Sequence, residues 1–199
     1  MNIIMTGSTS FVGAATVREL LRRGHTVTAI VRPKSSKLDT ILEGNEEALL
    51  SGRLLVTEND LSEPEKLLEK VTKPQDVFCH FGWGGSGSAS RTDKALQEKN
   101  MEISLETIRT AKALGCKKFL FSGSQAEYGM HQDLITEDAV CEPKSLYGEA
   151  KLAMREKGEK LCDELGLRYI HARIFSAYGP GDHPWTLVES CLDIFLSNK

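Results

Sequence analysis

The feature that most limits what this chain can fold into begins at its second residue. Asn2–Thr6 reads as a short apolar strand, "GSTSFVG" occupies residues 7–13, and an amphipathic helical pattern starts near Val12. A strand that turns through glycines into a helix aims backbone N–H groups and the positive end of the helix at one spot, which suits a pyrophosphate. Gly7 and Gly13 hold the outer positions of G-x-x-G-x-x-G, but the middle position is Ser10. Its side chain crowds the approach that a central glycine allows, while its hydroxyl can donate to a phosphate oxygen. The loop is expected to bind a dinucleotide, less tightly or slightly shifted. The plainer reading is an ordinary strand-to-helix turn.

The same alternation continues along the chain. Further strands are expected at Thr26–Val31, Leu54–Thr57, Asp76–Phe81, Lys118–Ser122 and Tyr169–Phe175, with helices at Val12–Arg23, Glu63–Val71, Thr92–Leu114 and Leu146–Leu165. Ser62 with Glu65 reads as a capping box for the second helix. Gly24, Gly115 and Gly166 fall where left-handed residues stop helices. Strand–helix alternation predicts an α/β fold, a doubly wound parallel sheet (Rossmann) in three α/β/α layers. The 199 residues suffice for one well-buried core and are short for two.

A net charge of −3 gives no reason to expect nucleic acid or an anionic membrane. No apolar run approaches membrane-spanning length and no secretory signal is evident. Five cysteines lie scattered without metal-binding spacing, as do the histidines. Reduced structural thiols in a cytoplasmic protein are expected, and no metal site. "GWGGSGSAS" (residues 82–90) follows a strand and precedes a helix, so it reads as a loop over a ligand rather than a linker. It is not a P-loop, because no Gly-Lys-Ser/Thr ends it.

The end of the second strand bears on which dinucleotide binds. An acidic residue there takes ribose hydroxyls, whereas arginine accommodates a 2′-phosphate. Here the chain reads "AIVRPKSSK", with Arg32, Lys34 and Lys37 and no acid before Asp39. NADP is favoured over NAD, the alternative being a solvated basic turn. "SLYGEAKLA" places Tyr147 and Lys151 four apart on one helix face. An ammonium beside a phenol favours phenolate, so the tyrosine can shuttle a hydroxyl proton while a hydride moves. Ser122 and Ser124, in "KKFLFSGSQAEYG", sit at a strand's carboxyl end, where such sites form.

Together these segments resemble the extended short-chain dehydrogenase/reductase family, of the NAD(P)-dependent nucleotide-sugar epimerase/dehydratase type. The marks are "TGSTSFVG", "NDL" (59–61), "HFGWGG" (80–85), Asn100, "FSGSQAEYG", "YGEAK" and "RIFSAYGPGD" (173–182). The resemblance implies Tyr147 as acid/base, Lys151 as its electrostatic partner, and Ser124 with Gln125 on the substrate. It implies a cofactor site of Gly7, Thr9, Ser10, Phe11, Val12, Gly13, Arg32, Asp60, Leu61, Phe81, Gly82, Trp83, Asn100, Ser122, Tyr147, Lys151, Ile174 and Ser176. Asp60 and Leu61 would meet the adenine, Phe81–Trp83 the ribose and phosphates, and the backbone from Ile174 to Ser176 the nicotinamide.

Gln125 and Ala126 stand where dehydratases of this type carry an Asp-Glu pair, with Glu127 one place later, which disfavours dehydration. Epimerisation or carbonyl reduction of a sugar or nucleotide-sugar remains. Ser176 stands where many relatives have a phosphate-binding asparagine. Residues 1–185 are expected to form the dinucleotide-binding domain, and 186–199 the start of a truncated or absent C-terminal substrate region. Relatives of this kind imply a possible homodimer through the two long helices. The competing expectation is a dinucleotide-sensing or scaffold module that keeps the fold without the chemistry.

Overall fold

The computed structural model describes residues 1–85, 88–132, 134–184 and 186–197. β1 (Asn2–Thr6) feeds α1 (Phe11–Arg22), and β2 (Thr26–Val31) is followed by two short helices, α2 (Asp39–Leu42) and α3 (Glu46–Leu50). After β3 (Leu54–Glu58), a 3-10 turn at Pro64–Lys66 runs into α4 (Leu67–Lys70). β4 (Val77–His80), a 3-10 turn at Ser88–Thr92 and α5 (Lys94–Ala113) come next. β5 (Lys118–Ser124), a 3-10 turn at Gln125–Glu127, α6 (Leu146–Leu165), β6 (Arg168–Ile174) and α7 (Leu187–Leu196) complete the order.

All strand pairs are parallel, in the order β3-β2-β1-β4-β5-β6. This is the doubly wound arrangement, reversing direction between β1 and β4, where ligands sit beyond the strand ends. Strand alternation divides the core between two faces. Ile4, Ile30, Phe78, Phe119 and Phe121 pack on one side with Ile108 and Met154 of α5 and α6. Ile3, Met5, Val27, Ala29 and Cys79 pack on the other against Val17 and Leu21 of α1. The inner strands β1, β2 and β4 thus hide both faces, as a parallel sheet under two helical layers requires, while the edge strands β3 and β6 stay partly exposed.

Gly24, Gly115 and Gly166 do end α1, α5 and α6 with φ of +78°, +89° and +66°. The expected helix Glu63–Val71 is instead a 3-10 turn plus one α-turn, and no side chain caps it. Ser62 makes no capping box, because its amide and hydroxyl both donate to the Asp60 carboxylate, at 2.8 and 2.6 Å. The long helix expected from Thr92 starts at Lys94, where Asp93 caps it by accepting from Leu96 N–H. No helix among the described residues is long and apolar enough to cross a membrane. All five cysteines are free, three of them buried.

Candidate active site

At the end of β1 the chain turns through Gly7 with φ +68°. A side chain here would lie 2.7–2.9 Å from the backbone of Phe81 and Gly82, so only glycine lets the two turns meet. Gly13 presses α1 against the same turn, and its added Cβ would collide with the Gly7 carbonyl. Ser10 corrects the sequence-based expectation. Its hydroxyl donates to Gly7 O at 2.8 Å and accepts from Gly13 N–H at 3.1 Å, making it the N-cap of α1 rather than a phosphate donor. No acidic residue occupies the first turn of α1.

A cleft of about 330 Å³ opens beside this turn. Gly7, Thr9, Ser10, Arg32, Asp60, Leu61, Phe81, Gly82 and Trp83 line it, as expected, together with Lys37 of the basic stretch and Asn59 of the "NDL" segment. Gly82 forms part of its wall, where a Cβ would meet Leu61 Cδ1 at 2.8 Å. The Asp60 carboxyl is held below the usual range by its two bonds from Ser62. Arg32 and Lys37 are therefore the cations at the β2 end of the cleft. Glu58, the acid at the adjoining β3 end, accepts instead from Lys34 N–H at 3.3 Å. The absent Cβ atoms, the helix N-terminus and the basic rim fit an elongated diphosphate.

Several expected residues do not line either cleft. Asn100 is buried behind the loop, accepting from Gly84 N–H at 3.0 Å and donating to Gly84 O at 2.8 Å. It fixes the 82–85 turn from below. Phe11 and Gly13 serve the start of α1, and Ser176 lies exposed beyond β6. A directed chain of bonds supports the same turn: Gly82 N–H to Thr6, Thr6 to His80 Nδ1, His80 Nε2 to Ser104, and Ser104 to Asn100 O. Each hydroxyl has one proton, so His80 carries its proton on Nε2 alone. Burial pushes its pKa down to about 3, which keeps it neutral.

The second cleft, about 340 Å³, lies beyond β4, β5 and β6 and shares Ser10, Phe81 and Trp83 with the first. Ser122, Ser124 and Gln125 enter from β5 and the turn after it, Tyr147 and Lys151 from α6, and Val12 from α1. Ile174 and Phe175 close the β6 side, and Arg91 enters from the turn before α5. The Ser145 hydroxyl accepts from Gly148 N–H and starts α6 so that Tyr147 falls in its first turn. Lys151, 2% exposed, donates to Ser122 O at 2.8 Å and sits 3.9 Å from the centre of the Trp83 ring. Burial brings its pKa down to about 7, while the nearby Glu127 charge and the aromatic faces favour the cation.

The phenol is tuned differently from the sequence-based expectation. Burial raises the Tyr147 pKa, and the groups opposing that rise are the Ser124 hydroxyl and the Arg91 guanidinium. Arg91 stands 5.0 Å from the ring centre, Lys151 5.7 Å. The lysine shares the tyrosine's helix face, but its ammonium is engaged by the Ser122 carbonyl and the indole. Glu127, one place beyond the dehydratase acid positions, is fully buried and bonded to His171 and Arg173. It is not available as an acid in the cleft. Arg91 was missed because it stands in an irregular polar stretch whose position over Tyr147 depends on the fold.

The profile of the NAD dependent epimerase/dehydratase family matches residues 3–198. The chain belongs to that family. Among curated members, it is 29% identical to D-erythronate dehydrogenase of Cupriavidus necator, over 87% of this chain and 53% of the relative. It is also 29% identical to dTDP-6-deoxy-L-talose 4-dehydrogenase (NAD(+)) of Aggregatibacter actinomycetemcomitans, over 85% and 60%. UDP-glucose 4-epimerase 3 of Oryza sativa subsp. japonica is 27% identical over 89% and 49%. The chain thus spans about half the length of the curated members it matches.

Its fold is shared with family members of known structure. UDP-glucose 4-epimerase of Thermotoga maritima superposes with a TM-score of 0.82 at 24% identity, over all of this chain and 64% of that one. UDP-glucuronic acid 4-epimerase of Bacillus cereus, in complex with NAD, gives 0.78 at 22% over the same shares.

Proposed function

We propose that this chain is the dinucleotide-holding part, residues 1–185, of an oxidoreductase or epimerase acting by hydride transfer on a sugar or nucleotide-sugar. The observation that carries this reading is the meeting of Ser124, Tyr147 and Lys151 in a cleft that shares Ser10, Phe81 and Trp83 with the glycine-turn cleft. Gly7, Thr9 and the α1 amides would take the pyrophosphate, Asp60 and Leu61 the adenosine end. Arg32 and Lys37, lining the β2 end of the cleft, favour NADP over NAD. The dehydrogenase and epimerase names among the relatives support the substrate class.

A bound nicotinamide supplies the hydride acceptor or donor. Tyr147 exchanges a proton with the sugar hydroxyl, and Ser124 donates to the phenol oxygen as it becomes anionic. Lys151, held by the Ser122 carbonyl 5.7 Å from the centre of the phenol ring, lines the same cleft. Gln125 and Ala126 offer no acid or base, so the chemistry stops at oxidation and reduction without loss of water. Calorimetric titration with NADP+ and NAD+ tests the cofactor reading, with tighter NADP+ binding expected. Saturation by neither at millimolar concentration overturns it. With nucleotide-sugar substrates, net oxidation of NADPH identifies a reductase and its absence with turnover an epimerase.

A further inference from the structure

Beneath Ser124 lies a buried charged cluster that the chemistry above leaves unused. The Glu127 side chain is 0% exposed, and its carboxylate accepts from Ser124 N–H at 2.7 Å. It also accepts from His171 Nε2 at 2.9–3.0 Å and from Arg173 Nε at 2.9 Å. Gly123 makes the room. A Cβ there would stand 2.5 Å from His171 Nε2 and 2.7 Å from Glu127 Oε1.

The Tyr169 hydroxyl lies 2.9 Å from Met154 O and 3.1 Å from His171 Nδ1, which orients the ring so that Nε2 faces the carboxylate. Arg173 supplies the opposite charge beside that carboxylate. Arg173 extends the grip by donating to Tyr128 Oη at 2.6 Å, Glu137 O at 3.2 Å and Cys141 Sγ at 3.4 Å. Burying such a group carries a desolvation cost that an apolar side chain would avoid, so what it holds in place matters.

What it holds is the catalytic turn. Ser124 and Glu127 form a reciprocal capping box, in which Ser124 Oγ accepts from Ala126 N–H at 3.2 Å. That bond uses an oxygen lone pair and leaves the hydroxyl proton to face the cleft. We propose that Glu127 is a positioning residue: clamped from β6 by His171 and Arg173, it sets the Ser124 backbone so that the hydroxyl proton meets the Tyr147 oxygen. The proposal rests on Ser124 and Tyr147 being the reacting pair.

Two variants separate geometry from charge. E127D keeps the carboxylate but is one methylene too short to span from β6 to Ser124 N–H. E127Q removes the charge and keeps an acceptor oxygen in place. The Tyr147 midpoint is followed through the ring carbon bearing the hydroxyl in 13C-tyrosine protein, assigned with Y147F. Circular dichroism confirms folding. E127D should raise the midpoint by about half a pH unit or more, and the rise should vanish in the S124A background. E127Q should shift it less in the upward direction. An unchanged midpoint in folded E127D, or the same rise with and without Ser124, overturns the proposal. Turnover of UDP-glucose with NADP+ or NAD+ is measured alongside. Should wild type show none, the functional reading suffers while the titration still decides the role of Glu127.

Discussion

Ser10 and Lys151 show how a side chain's surroundings reassign its role. Because the Ser10 hydroxyl is committed to Gly7 O and Gly13 N–H, S10A should cost about 1 kcal/mol of stability, the usual worth of an N-cap. Dinucleotide affinity should stay within about threefold, since no hydroxyl bond to phosphate is lost. Thermal unfolding and calorimetry check the two halves. Lys151 has the opposite balance: its buried ammonium is costly to the fold, with a pKa near 7 against an ordinary 10.5. That penalty is full below pH 7 and fades as pH rises toward 10.5, where both states are neutral, so this group alone makes stability climb with pH. K151M should therefore be more stable than wild type by about 1–2 kcal/mol at pH 6.5. The advantage should shrink at pH 9.5 and turnover be lost. A wild-type protein more stable than K151M at pH 6.5 contradicts this account.

Among the elements, those with chemical end signals were legible and those without were not. The bounds of α6 follow from Ser145 at one end and Gly166 at the other, and they coincide with the expected Leu146–Leu165. α2 and α3 span four and five residues, too short for helical periodicity to register. β5 runs two residues past its expected end, to Ser124, because Gly123 and Ser124 pair with Arg173 and Ile174 of β6. Where α6 packs, glycine governs the approach. A Cβ on Gly148 would lie 2.5 Å from Ala126 O and 3.0 Å from Pro143. G148A should destabilise the protein by about 1–3 kcal/mol and move Tyr147 away from Ser124. The sign of the second effect is a Tyr147 midpoint higher than in wild type, read by the same 13C titration.

Across the whole molecule, both clefts open where the sheet order reverses, between the helices of the two faces. α7 stands apart from this core. It has no buried residue, and Leu187, Phe195 and Leu196 are about four-fifths exposed. Deleting residues 186–199 should change unfolding free energy by less than about 1 kcal/mol and leave dinucleotide binding intact, as chemical denaturation and calorimetry will show. A loss of several kcal/mol would mean that the helix helps to hold the sheet together. Local signals were sufficient for the strand–helix alternation, the glycine turn, the helix stops and the Tyr147–Lys151 face, because each is set by backbone sterics, capping or periodicity within a few residues. The Ser10 cap is made within three residues and belongs with those local signals, whereas Asn100 behind its loop, Arg91 over the phenol and the His171–Arg173 clamp on Glu127 were decided only by tertiary structure. Their partners are distant in sequence, and burial, which alone fixes the charge each group can keep, exists only once the sheet and helices have closed around them.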